Sequence, residues 1–121
     1  MIIAVTTEGD KLESRVDARF GRAKSFLVYD TETGEFKLHD NRQNLNAPQG
    51  AGIQSATNIA ELGVKAVITG NVGPNAFKTL QAAGIEIYLV SGQMTVKQAI
   101  AAYQAGELEL VAQANVEGHW V

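Results

Sequence analysis

One arrangement occurs twice and limits the fold more than any other feature. Residues 62–77 read LGVKAVITGNVGPNAF, and residues 83–100 read AGIEIYLVSGQMTVKQAI. Each begins at a glycine placed to stop a helix. Each then runs through a short apolar, β-branched stretch and a glycine-containing loop into a new helical pattern. Two successive strand–loop–helix units need crossover connections, so their strands lie parallel in one sheet. The predicted strands are Val64–Thr69 and Ile85–Val90. Pro74 suits a first helical turn, and Gly84 suits a C-terminal cap. Thr95 and Gln98 have the spacing of a capping box, and Gly106 ends the last helix.

The N-terminal half has a different rhythm. Ile2–Thr7 (IIAVTT) and Ser25–Asp30 (SFLVYD) are apolar strands. TETGE forms a short turn, with Gly34 at its left-handed position. Glu35–Asn41 alternates Phe36 and Leu38 against Glu35, Lys37 and His39, the pattern of a half-exposed strand at an edge. A polar loop, NRQNLNAPQGAG, feeds a helix over AGIQSATNIAEL that Gly63 stops. The order is therefore βββαβαβα: an antiparallel meander followed by two strands parallel to the first. The expected class is α/β, a mixed five-stranded sheet with helices packed on its faces, in the topology of the ribonuclease H-like architecture. At 121 residues the chain has the size of one domain, placed at residues 1–110. Residues 111–121 are read as a tail that adds a short strand and then frays.

Several function classes drop out. Ribonuclease H-like nucleases and phosphotransferases hold magnesium with acidic residues, one set on the first strand. Here that strand carries no carboxylate, which argues against such an enzyme. A net charge of -3 argues against nucleic-acid binding. The chain has no cysteine, which removes disulfides, thiolate zinc sites and thiolate-held iron–sulfur clusters. Of the two histidines, His39 is expected to face solvent, and His119, beside Trp120, is expected to be loosely ordered. The N-terminus lacks the features of a signal peptide, and no apolar run approaches the roughly 20 residues that span a bilayer. The expected setting is cytoplasmic, with no membrane partner.

The topology also locates a candidate site. The loops VDARFGR, NAPQGAG, GNVGPNA and SGQMT follow strand ends that share one edge of the sheet, where open α/β sheets bind ligands. Three of them open helices, whose free N–H groups and dipoles favour anions. Gly50, Gly52, Gly70 and Gly73 allow close backbone approach, and Arg19 and Arg22 add forked cationic donors. Phe20 is read as the anchor of its loop and Gly21 as its turn. Plainer readings stand beside these. Glycines at helix ends mostly cap, and loop arginines are mostly solvated or paired with a local acid such as Asp17. Neither glycine cluster matches a Walker A or dinucleotide fingerprint, and no Ser-His-Asp set is evident. Ile100 and Tyr103 are core candidates.

The segments RFGRAKSFLVYD, GVKAVITGNVGPNAFKTLQAAGIEIY and TVKQAIAAYQAGEL together resemble the dinitrogenase iron–molybdenum cofactor biosynthesis family, from Ile3 to about Leu110. The resemblance implies a ribonuclease H-like fold and a non-catalytic carrier. Its cargo would be the iron–molybdenum cofactor or a precursor iron–sulfur cluster, passed between cofactor-assembly proteins. Cofactor-binding members often carry histidine directly before Phe-Gly. This chain has Arg19 there, which has no lone pair for a metal but pairs well with anions. The residues implicated in holding the cofactor are Arg19, Phe20, Gly21, Arg22, Gly50, Gly52, Asn71, Gly73 and Asn75, with no direct metal ligand. Two other readings stay open: a binding module for a different small anionic metabolite, and an interaction domain that docks a partner through its third strand or tail.

Overall fold

In the computed structural model, described over residues 1–41, 51–91 and 93–111, β1 (Ile2–Thr7) holds the centre of the sheet. Its composition explains why. Ile3 and Val5 enter one core and Ala4 the other, all fully buried. A strand apolar on both faces needs cover on both. β2 (Ser25–Asp30) pairs antiparallel with β1, and β3 (Phe36–Asp40) pairs antiparallel with β2. On the other side of β1 lie β4 (Ala66–Thr69) and β5 (Glu86–Leu89), both parallel to it. The sheet order is β3-β2-β1-β4-β5. This is the expected mixed five-stranded α/β sheet, with its meander and its parallel half. β4 and β5 are shorter than their apolar runs: they pair with each other over Ala66–Thr69 and Glu86–Leu89.

Three helices cover the sheet: α1 (Ala51–Glu61), α2 (Pro74–Ala82) and α3 (Val96–Gln104). Ala56 and Ile59 of α1 and Ala76, Phe77 and Leu80 of α2 pack with Ala4, Phe26, Val67 and Ile87 on one face. Val96, Ala99 and Ile100 of α3 pack with Ile3, Val5, Leu27 and Ile68 on the other. The helix ends follow the sequence signals. Gly63, Gly84 and Gly106 have φ of 77°, 76° and 72°, and Gly34 in the β2–β3 turn has 78°, conformations that glycine adopts without strain. The Thr95–Gln98 capping box is present in both directions. At the far edge, Leu110 bridges Tyr88, and the Val111 N–H donates to the Ile87 carbonyl. The remainder of the tail, with His119 and Trp120, lies outside the described residues.

His39 departs from expectation. Its alternation with Phe36 and Leu38 is present, but the sense is inverted. His39 sits opposite Phe26, on the α1 face, whereas Leu38 sits opposite Leu27, on the α3 face. Helix α3 packs against β1 and leaves β3 uncovered. Phe36 and Leu38 are therefore 38% and 43% exposed. His39 is half-buried, and its Nε2 is buried with no hydrogen-bond partner among the described residues.

Candidate functional site

β1, β3, β4 and β5 all point the same way, so their C-terminal ends share one edge of the sheet. The connection from β1 to β2, residues 8–24, lies across that edge and is tied to each neighbouring loop in turn. Toward α3, Arg15 bridges Thr95, Val16 N donates to the Met94 carbonyl, and Val96 N donates to the Ser14 carbonyl. Toward α2, Arg19 bridges Asn71 in parallel fashion. There Phe20 N donates to the Asn71 carbonyl at 3.1 Å, and Asn71 Nδ2 donates to the Ala18 carbonyl at 3.0 Å. Toward α1, Asn41 Nδ2 donates to the carbonyls of Gly21 (3.2 Å) and Ala23 (2.8 Å). Ser55 Oγ lies 3.2 Å from the Gly21 carbonyl and 3.0 Å from Asn41 Oδ1. This loop is a hub rather than one of four equivalent neighbours.

Its conformation is fixed from beneath. Phe20 is fully buried against Phe26, with ring centroids 5.4 Å apart. Thr6 Oγ1, at the end of β1, donates to the Asp17 carbonyl at 2.7 Å and shares a 2.9 Å hydrogen bond with Thr69 Oγ1 at the end of β4. Hydroxyls thus join the C-terminal ends of β1 and β4 beneath the loop. Asp17, 7% exposed, accepts from the backbone N–H groups of Arg19 (3.0 Å) and Lys24 (3.3 Å), which meets the requirement for pairing a buried carboxylate. Gly70 closes the contact. A Cβ there would lie 2.7 Å from Ala18 Cα and 2.8 Å from its carbonyl oxygen, so the two backbones touch where a side chain would not fit.

The expected site residues divide by depth. Arg19 is 53% exposed in its side chain, and its Nε lies 3.9 Å from Asp17 Oδ1, a long ion pair at a wet surface. Arg22 is half-buried between the two carbonyls that Asn41 holds. Asn71 is half-buried beside Arg19, and Asn75 is exposed in the first turn of α2. Gly73 is the N-cap of α2, with extended backbone and no side-chain cap. Gly21, Gly52 and Gly73 are buried. Phe20, expected in the site, is a core residue at 0% exposure. It positions the loop from below and does not reach the surface. Gly50 lies outside the described residues. Sequence reasoning missed Asn41, Ser55, Thr6 and Thr69, because their roles depend on contacts between residues 11 to 63 positions apart.

The resulting surface offers guanidinium groups, the amide side chain of Asn71 and the start of α2, an arrangement that suits an anion. Among the described residues no three histidine, cysteine, aspartate or glutamate side chains group as a metal site. What the described residues supply here is charge and hydrogen bonds.

Comparison with known proteins follows the same line. The model of the dinitrogenase iron-molybdenum cofactor family matches residues 1–106. An uncharacterised protein of Methanocaldococcus jannaschii is 33% identical over 98 residues, 79% of this chain and 82% of its own length. The apo form of the orange protein from Desulfovibrio gigas has a TM-score of 0.93 at 41% identity, covering 95% of this chain and 96% of that one. A Thermotoga protein described as a NifB candidate has a TM-score of 0.83 at 38% identity, covering 97% and 98%.

Proposed function

The chain belongs to the dinitrogenase iron-molybdenum cofactor family, and from that premise we propose that it is a non-catalytic carrier of an anionic metal cofactor. The cargo is the iron–molybdenum cofactor or a precursor iron–sulfur cluster, held over the hub loop and passed to cofactor-assembly proteins in the cytoplasm. We assign the sheet to the ribonuclease H-like architecture on its element order. One observation carries the reading: the 8–24 loop brings Arg19 and Arg22 to the sheet edge and locks them there against Asn71, Asn41 and Ser55. A backbone already fixed in place leaves only the arginine side chains to be ordered when an anion binds. Arg19 and Asn71 would contact the cargo by charge and hydrogen bonding, with Arg22 adding positive field. The metal chemistry stays with the cluster and its own ligands.

The test is anaerobic titration of the apo-protein with isolated iron–molybdenum cofactor or a precursor cluster, read by native-gel mobility and visible absorbance. Binding at roughly tens of micromolar or tighter is expected, weakened about tenfold by Arg19→Ala. No change in mobility or absorbance at those concentrations would overturn the reading. A second reading is a small anionic metabolite at the same loops, which the exposed Arg19 guanidinium and the neighbouring Asn71 amide suit equally well. It predicts ligand-dependent thermal stabilisation, by mass action, that Arg19→Ala and Arg22→Ala diminish.

A further inference from the structure

A groove of about 750 Å³ runs along the β3 side of the sheet, on the face that α1 covers only in part. The ladder registers define its floor. Ile2 and Asp30 lie in one row across β1 and β2, with Glu35, whose carbonyl accepts the Asp30 N–H, just before β3; Val28 and Lys37 lie in the next; Phe26 and His39 lie in the third. Helix α1 closes over the Phe26 row and ends at Glu61. Beyond it, Leu62 forms the opposite wall, 41% exposed, above half-buried Ile2 and Val28. The groove is thus apolar along its middle and has a volume usual for small-ligand sites.

Its polar groups are distributed unevenly. Among the described residues Lys37 makes no ion pair and His39 Nε2 has no hydrogen-bond partner. A buried polar atom without a partner is costly and uncommon. At the turn end, Asp30 Oδ1 accepts the Glu32 N–H at 2.8 Å, and Glu35 adds a second carboxylate. An anion is repelled from that end and drawn to the Lys37–His39 end.

We propose that this groove binds a small amphiphilic anion, with its apolar body across Ile2, Val28 and Leu62 and its carboxylate or sulfonate head at Lys37, beside His39. The site is separate from the hub loop and does not depend on the carrier reading. Its probes are anilinonaphthalene sulfonate, followed by fluorescence, and decanoate, used to displace it. Amide chemical-shift mapping locates both. The expected dissociation constant is roughly tens of micromolar. Shifts should centre on Val28, Lys37 and His39. Lys37→Glu and Leu62→Glu, both at exposed positions, should each weaken binding at least about fivefold, while Arg19→Ala leaves it unchanged. Lys37→Ala serves in place of either variant that fails to give a native melting curve. The proposal is overturned by absence of binding at about 1 mM, by binding indifferent to these substitutions, or by shifts confined to the 8–24 loop.

Discussion

At Gly70 the margin is a single methyl group. The β carbon of an alanine would approach Ala18 Cα to 2.7 Å, and both atoms belong to backbone that sheet pairing and the Arg19–Asn71 bridge hold in place. Gly70→Ala should therefore lower the unfolding free energy by about 1–3 kcal/mol and also weaken anion binding, because the loop must lift. Asp17 and Arg19 behave differently despite their proximity. Arg19→Ala removes an exposed pair at 3.9 Å and should change stability by less than about 1 kcal/mol. Asp17→Ala leaves two backbone N–H groups without their acceptor and should cost about 1–3 kcal/mol. Urea titration of the two variants checks the contrast. Equal losses would mean that the arginine is structural.

Among the elements, α3 is the one whose start can be read entirely from the chain. The Thr95 hydroxyl accepts from Gln98 N at 3.1 Å, and Gln98 Oε1 accepts from Thr95 N at 2.9 Å. Thr95→Ala should cost about 1 kcal/mol. Helix α3 meets β5 through Tyr103 and Tyr88, whose rings are 5.2 Å apart and edge-on. Burial, then the hydrogen bond to Glu86 and its charge, hold the Tyr88 phenol above its ordinary value of 10.0. Burial and then Glu86 act on Tyr103 in the same direction. A phenol that keeps its proton more tightly in the folded state supports folding fully below pH 10. That support fades as pH rises through the raised values. Ultraviolet titration should show both tyrosines ionising late, and Glu86→Gln should bring Tyr88 back toward its ordinary value. A variant with unchanged titration would remove Glu86 from the account.

For the whole molecule, the two cores share one sheet. Ala4 and Phe26 face one core, and their neighbours Ile3, Val5 and Leu27 face the other. Neither face can lose its cover without exposing strands that the other face needs. Phe20→Ala, in the core under α1 and α2, should cost about 3–5 kcal/mol. It should also shift the unfolding of the tyrosine signal, which reports the α3 face through Tyr29, Tyr88 and Tyr103, by the same amount as the helical signal. Separate transitions for the two probes would show that the faces unfold independently.

The sequence by itself determined the elements, their order and most of their ends. These rest on local interactions: apolar period, a capping box, and glycines at positive φ. It also placed the Phe-Gly turn at the loop edge, because that depends only on strand direction. Only the tertiary structure shows that the 8–24 loop is a hub and that His39 faces the α1 side of the sheet; the anchoring of the loop by Phe20 was legible in the chain and is borne out by its full burial. Asn41, Ser55, Thr6 and Thr69 carry no local signature, since a hydroxyl or an amide becomes a positioning group only when a distant carbonyl meets it. The facing of β3 was equally beyond local reading. Alternation tells which residues share a face, and only helix packing tells which face is covered.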